Sequence, residues 1–172
     1  MAYAAQDEKW MRLALDQAEA ALSEGEFPVG CVITDGEEVV ASGSRISSRG
    51  SAFNELDHAE IVALRGLFEK GVDRPEKESL CIYSTLEPCL MCFGAIVIAG
   101  IRRIVYAFED AMGGGTACGL EMTGPLYRQP EPEIAAGVLR EESLALMRRF
   151  FSNPENRYLK DTLFERYTLK CS

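Results

Sequence analysis

An α/β protein, with helices covering both faces of one sheet, is the fold class this sequence predicts. Three observations carry that expectation. Runs rich in β-branched and aromatic residues alternate with stretches of helical spacing. Asp35-Gly36, set between two apolar runs, is a strong hairpin signal. No repeat, low-complexity tract or linker rich in Gly, Ser or Pro divides the chain, so its 172 residues are read as one domain. At 47% apolar and 26% charged residues, that length is enough to bury a substantial core.

The elements follow in order. A first helix is expected from a cap at Asp7, with Met11, Leu15, Ala18 and Leu22 on one face and Gly25 beyond its last turn. "FPVGCVITDGEEVVASG" reads as two strands joined at Asp35-Gly36. After a polar loop, Ser44 to Asp57, helical spacing runs from His58 to Lys70 through Ile61, Leu64 and Phe68. "LCIYST", Leu80 to Thr85, reads as a buried strand. A helix is expected from Pro88, since proline suits a first helical turn. "RRIVYAF" and the shorter "EIAAGV" read as strands and "REESLALMRRFF" as a helix, while the tail restarts as a last helix after Pro154. The glycine run Met112 to Gly119 lacks the context of a phosphate loop and reads as a flexible connection.

Charge and composition exclude several functions. A net charge of −9 and a pI near 4.7 argue against a large nucleic-acid surface. The exception is the segment from Arg148 to Lys170, where six basic residues face three acidic ones. The longest apolar run, Gly94 to Ile101, is too short to span a bilayer, and the first ten residues lack the pattern of a secretory signal. A cytoplasmic protein without membrane partners is expected. Of six cysteines, only Cys89 and Cys92 are closely spaced, and Cys31 and Cys81 sit in strand-like runs as buried thiols.

His58 is the sole histidine of the chain. Cys89 and Cys92, three apart at a predicted helix start, project from its first turn, where the helix dipole favours thiolates. Two thiolates and an imidazole make a ligand set suited to one Zn²⁺. A closed structural zinc site needs a fourth ligand, for which Cys31, Cys81 and Cys118 are candidates. A redox CxxC normally follows the first strand of its unit, and a Cys–His nucleophile leaves the second cysteine idle. Three protein ligands leave a place for water, whose pKa zinc lowers toward about 7. Glu60, two residues after His58, is placed to relay protons; the same position suits an acid that merely favours the helix dipole.

His58-Ala59-Glu60 and Pro88-Cys89-Leu90-Met91-Cys92 together form the H-x-E…P-C-x-x-C signature of nucleobase zinc deaminases. The chain resembles the cytidine/deoxycytidylate deaminase superfamily, and within it tRNA adenosine deaminases and the guanine and cytosine deaminases related to them. "GEFPVGCVI", "HAEIVALR", "STLEPCLMCFGAIVIAGIRRIVYAFED" and "GVLREESLALMRRFF" carry the likeness, from about Met11 to Phe151. It implies a three-layer α/β/α domain around a five-stranded mixed sheet and one zinc per chain on His58, Cys89 and Cys92. Glu60 becomes the proton shuttle, the Ala59 N–H and the Glu87 carbonyl contact the substrate, and a homodimer is expected.

The chain departs from that pattern in two places. This branch usually carries a base-orienting asparagine on the loop after the second strand. Here that region holds Ser44, Arg45 and Ser47, and the loop's only asparagine is Asn54. Arg45 and Asn54 are the candidates for substrate contact. Residues 151–172 resemble the C-terminal lid of small-molecule deaminases, with Tyr158, Asp161 and Phe164 as candidate lid residues. The leading expectation is hydrolytic deamination of an amino-substituted nucleobase, nucleoside or related heterocycle, with release of ammonia. The alternative is adenosine-to-inosine deamination in a tRNA anticodon loop, favoured by the motifs and the basic tail and disfavoured by the acidic charge. A non-catalytic zinc module is a third reading, and Glu60 speaks against it.

Overall fold

The computed structural model describes residues 5–50, 53–69, 79–127 and 132–171. Five strands form one mixed sheet in the order β2-β1-β3-β4-β5. The strands β1 (Gly30–Asp35) and β2 (Glu38–Ser44) form the expected hairpin, with Gly36 at positive φ in its turn. β3 (Leu80–Leu86) lies antiparallel to β1, and β4 (Arg103–Phe108) and β5 (Glu133–Ala136) continue parallel to β3.

Strand alternation sorts side chains onto two faces. Val32, Cys81, Tyr83, Val105 and Ala107 meet Trp10, Met11 and Ala14 of α1 (Ala5–Ser23). Cys31, Ile33, Ile82, Ile104 and Phe108 belong to the larger core, completed by α2 (Ala59–Glu69), α3 (Leu90–Ala99), α4 (Arg140–Phe151) and α5 (Leu163–Lys170). No described helix is long and apolar enough to cross a membrane.

Four local expectations change. Asp7 does not cap α1. It lies inside the first turn, buried, and its carboxylate accepts two bonds from the Arg103 guanidinium at 2.7 and 2.9 Å and one from the Tyr83 hydroxyl. Helix α2 buries Ala59, Glu60, Ala63, Leu64 and Leu67, whereas Phe68 is 61% exposed. The inward side of α2 lies against Gly43 on β2, where an added Cβ would meet the Ala59 carbonyl oxygen at 2.5 Å and the Ala63 nitrogen at 2.6 Å. The bare strand backbone lets α2 lie directly on it through Ala59 and Ala63. Lys70, the expected end of this helix, falls outside the described residues.

Pro88 stands before α3 rather than in its first turn, because Cys89 is the N-cap. After Pro154 the chain stays irregular until Thr162, which caps α5 by accepting from the Glu165 N–H. Leu159 and Asp161 hold positive φ in that stretch, and the Asn156 side chain is bonded to both backbone polar groups of Tyr158.

Candidate functional site

The two halves of the signature enter the site through two helix N-termini. The His58 carbonyl accepts the first helical bond of α2 from Val62, and the Cys89 carbonyl accepts that of α3 from Phe93. The His58 Nδ1 lies 3.5 Å from each of the Cys89 and Cys92 sulfurs, and all three donor atoms fall within 4.8 Å of one another. Nitrogen and sulfur donors set tetrahedrally about zinc at roughly 2.0 and 2.3 Å have an edge of about 3.5 Å, so the set fits that ion. Among the described residues this group holds no fourth protein donor. Cys31 and Cys81 are buried in the sheet and Cys118 is exposed, so the closed structural site gains no support.

Charge in the site is tightly coupled. The Cys92 thiol hydrogen-bonds to Cys89 and holds it near the thiolate form, down to about 4, with His58 adding to the effect against burial. That shared proton, together with burial and the charge of Glu60, pushes Cys92 up. The Cys89 bond raises His58 against its own burial, and Arg45 opposes the rise. Glu60, 3% exposed, is raised chiefly by burial. Its Oε1 accepts from the Ser84 hydroxyl at 2.9 Å, and its Oε2 lies 3.5 Å from the Cys92 sulfur.

A cavity of about 200 Å³ opens onto His58, Glu60 and Cys89. One wall is built by Glu87, whose carboxylate accepts from the Asp110 N–H, the Thr116 N–H and the Thr116 hydroxyl. The glycine run is therefore a fixed wall, not a flexible connection. Gly114 pairs with Cys89 and the Gly115 N–H donates to the Pro88 carbonyl; a Cβ at Gly115 would meet the Leu90 nitrogen at 2.5 Å.

The tail forms the opposite wall. Tyr158 and Phe164 line the cavity, packed on Phe27, and Leu159 lines it between them. Asp161 does not line it: its side chain is exposed, and its N–H is bonded by the Glu165 carboxylate. Asn54 is also absent from the lining. Its amide donates to Asp57 and accepts from the Leu56 N–H, so it shapes the loop. Arg45 does line the cavity, as do Glu55, Asp110 and Met112, which drew no notice in the sequence because no motif marks them. Ala59 is fully buried at the start of α2 and does not line it.

A fold of this topology with a histidine–dicysteine set beside a buried glutamate defines a zinc deaminase. The family model of the cytidine and deoxycytidylate deaminase zinc-binding region matches residues 4–108, and the chain belongs to that family. A tRNA-specific adenosine deaminase of Rickettsia bellii is 36% identical over 141 residues, which is 82% of this chain and 97% of that one. One of Haemophilus influenzae is 35% identical over 146 residues, covering 84% and 83%. Among solved structures, a tRNA A34 deaminase that edits A to I at the wobble position superposes with a TM-score of 0.67. It is 33% identical, over 80% of this chain and 98% of that one. The guanine deaminase of Nitrosomonas europaea shares the fold, with a TM-score of 0.66 at 21% identity and 83% coverage of both chains.

Proposed function

We propose that this deaminase acts on a free, base-sized amino-heterocycle, replacing its amino group with oxygen and releasing ammonia. The acidic charge of −9 and the aromatic tail wall of Tyr158 and Phe164 support this reading, and the cavity of about 200 Å³ suits a single base, free or turned out of a strand. His58, Cys89 and Cys92 would hold the metal, and zinc on such a set activates water as a nucleophile at neutral pH. Glu60 would take one proton from the water and give it to the ring nitrogen, then take the remaining hydroxyl proton and give it to the departing amine. Burial raises its pKa above the usual carboxylate value. Ser84 donates to one carboxylate oxygen, and the other faces Cys92 on the side of the metal ligands. Tyr158, Leu159 and Phe164 exclude bulk water from the ring. The whole chain acts as one catalytic domain in this reading, and a cytoplasmic location belongs with it.

A second reading, deamination of adenosine in a tRNA anticodon loop, is favoured by the names of the relatives that are 30–36% identical. A groove of about 640 Å³ lined by Arg49, Arg149 and Arg157 adjoins the cavity and shares Glu55, Tyr158 and Leu159 with it. Those arginines are already engaged, by Glu26, by Glu19 and by backbone carbonyls. Ammonia release from free bases, nucleosides and an anticodon stem-loop divides the two readings; a reaction confined to the RNA overturns the first. A homodimer is part of either, through the apolar groove of Ile61, Leu64, Phe68 and Ile98 on α2 and α3. Sedimentation as a monomer at micromolar concentration would remove it.

A further inference from the structure

Strand β3 turns a row of side chains toward the helices that carry the site, and one of them breaks the pattern. Alternation puts Leu80, Ile82, Ser84 and Leu86 on the same face, and the three apolar members belong to the larger core. Ser84 is 0% exposed at a place where the row calls for another apolar side chain. A buried hydroxyl left without a partner destabilises the fold, so the bond it makes is informative. Its Oγ donates to the Glu60 Oε1 at 2.9 Å.

That bond joins β3 to the first turn of α2, so it fixes the Glu60 carboxylate against the sheet rather than against its own helix. The last torsion of a glutamate is broad and roughly two-fold, so a carboxylate held only by its stem turns freely between its two oxygens. The Oε2 faces the Cys92 sulfur at 3.5 Å, on the side of the metal ligands. A thiolate that ligates a metal has no proton to donate, so this second contact cannot hold the carboxylate in the loaded site. Ser84 is then the one side-chain donor left on Glu60 among the described residues. It does not line the cavity and is not among the metal donors, so Glu60 is its route to the chemistry.

We propose that Ser84 is the positioning residue of the proton carrier. By holding Oε1 it keeps Oε2 turned toward the metal ligands through both proton transfers. The inference rests on Glu60 as the proton carrier, and it holds for a free base and for a base in RNA alike.

Ser84→Ala in the zinc-loaded enzyme tests it, on whichever free base, nucleoside or anticodon stem-loop releases ammonia. A fall in kcat of roughly 10- to 100-fold is expected, the range for partners that orient a reactive group from behind. KM should stay within about 2-fold and zinc content should not change, since Ser84 touches neither substrate nor metal. Ser84→Thr keeps the hydroxyl and should recover most of the rate. Undiminished kcat in Ser84→Ala, with Glu60→Gln inactive, overturns the inference and leaves Glu60 as the carrier. A raised KM or lost zinc overturns it too, by assigning Ser84 to the pocket or to the metal. So does a threonine variant that melts like the unmodified enzyme yet works no better than the alanine one. Full activity in Glu60→Gln removes the proton carrier, and the reading beneath the inference falls with it.

Discussion

Gly43→Ala tests how the sheet places the helix that carries Glu60. The added methyl would sit 2.5 Å from the Ala59 carbonyl oxygen, 2.6 Å from the Ala63 nitrogen and 3.1 Å from the Val62 Cβ. Two of those neighbours are backbone atoms, which cannot rotate away. The first turn of α2 must retreat by roughly 1 Å to reach ordinary contact, and such overpacking costs about 1–3 kcal/mol. For a chain of this size, that lowers Tm by roughly 2–12 °C. The retreating turn carries His58 and Glu60, and misplacing a reacting group by about 1 Å costs on the order of 10²-fold in rate. Gly66→Ala, on the same helix with open space around it, is the control and should gain about 0.5–1 kcal/mol. The assay is thermal unfolding of the zinc-loaded protein alongside kcat/KM from ammonia release. If Gly43→Ala melts early yet keeps full kcat/KM, this contact does not position the site.

Glu60→Gln should keep its zinc and lose about 10²–10⁴-fold in turnover, and undiminished ammonia release would remove it from the proton path. His58→Ala and Cys89→Ala should each lose bound zinc, so full occupancy by metal analysis would sink the ligand assignment. Glu109 is pushed up by burial, but Arg140 and then Tyr167 outweigh this and hold it down at about 2. A depressed folded pKa stabilises above the unfolded value of about 4.3 and is lost as pH falls through the folded one. Stability should therefore fall between about pH 4.3 and 2, and Glu109→Gln should flatten that slope in chemical denaturation; an unchanged slope refutes the assignment.

Much of the frame was legible because it is local. Asp35-Gly36 needs only two residues to announce its hairpin, and β-branched runs mark β3 and β4. The metal set was legible because His58, Cys89 and Cys92 have few other uses in that spacing. What escaped depends on contacts distant in sequence. The inward face of α2 runs through Ala59, Ala63, Leu64 and Leu67, and its close seat on Gly43 of β2 is a contact distant in sequence. The glycine run is tied to the cavity wall because Thr116 donates its N–H and its hydroxyl to Glu87, 29 residues upstream. Asn54 and Arg45 were equal candidates on residue type, and only the fold turns one toward Asp57 and the other into the cavity. Asp161 was likewise a sound choice by charge, but positive φ at Leu159 and Asp161 brings an apolar side chain inward instead.

His58 and Cys89 stand 31 residues apart, each immediately before the first residue of a helix. A metal ion joining them is a cross-link, and it acts on the unfolded chain as well as on the folded one. By the measure used for disulfides, closing a loop of that length removes chain entropy worth roughly 4 kcal/mol. An ion held there would also act as a removable staple, so stripping the metal should lower the stability of the fold.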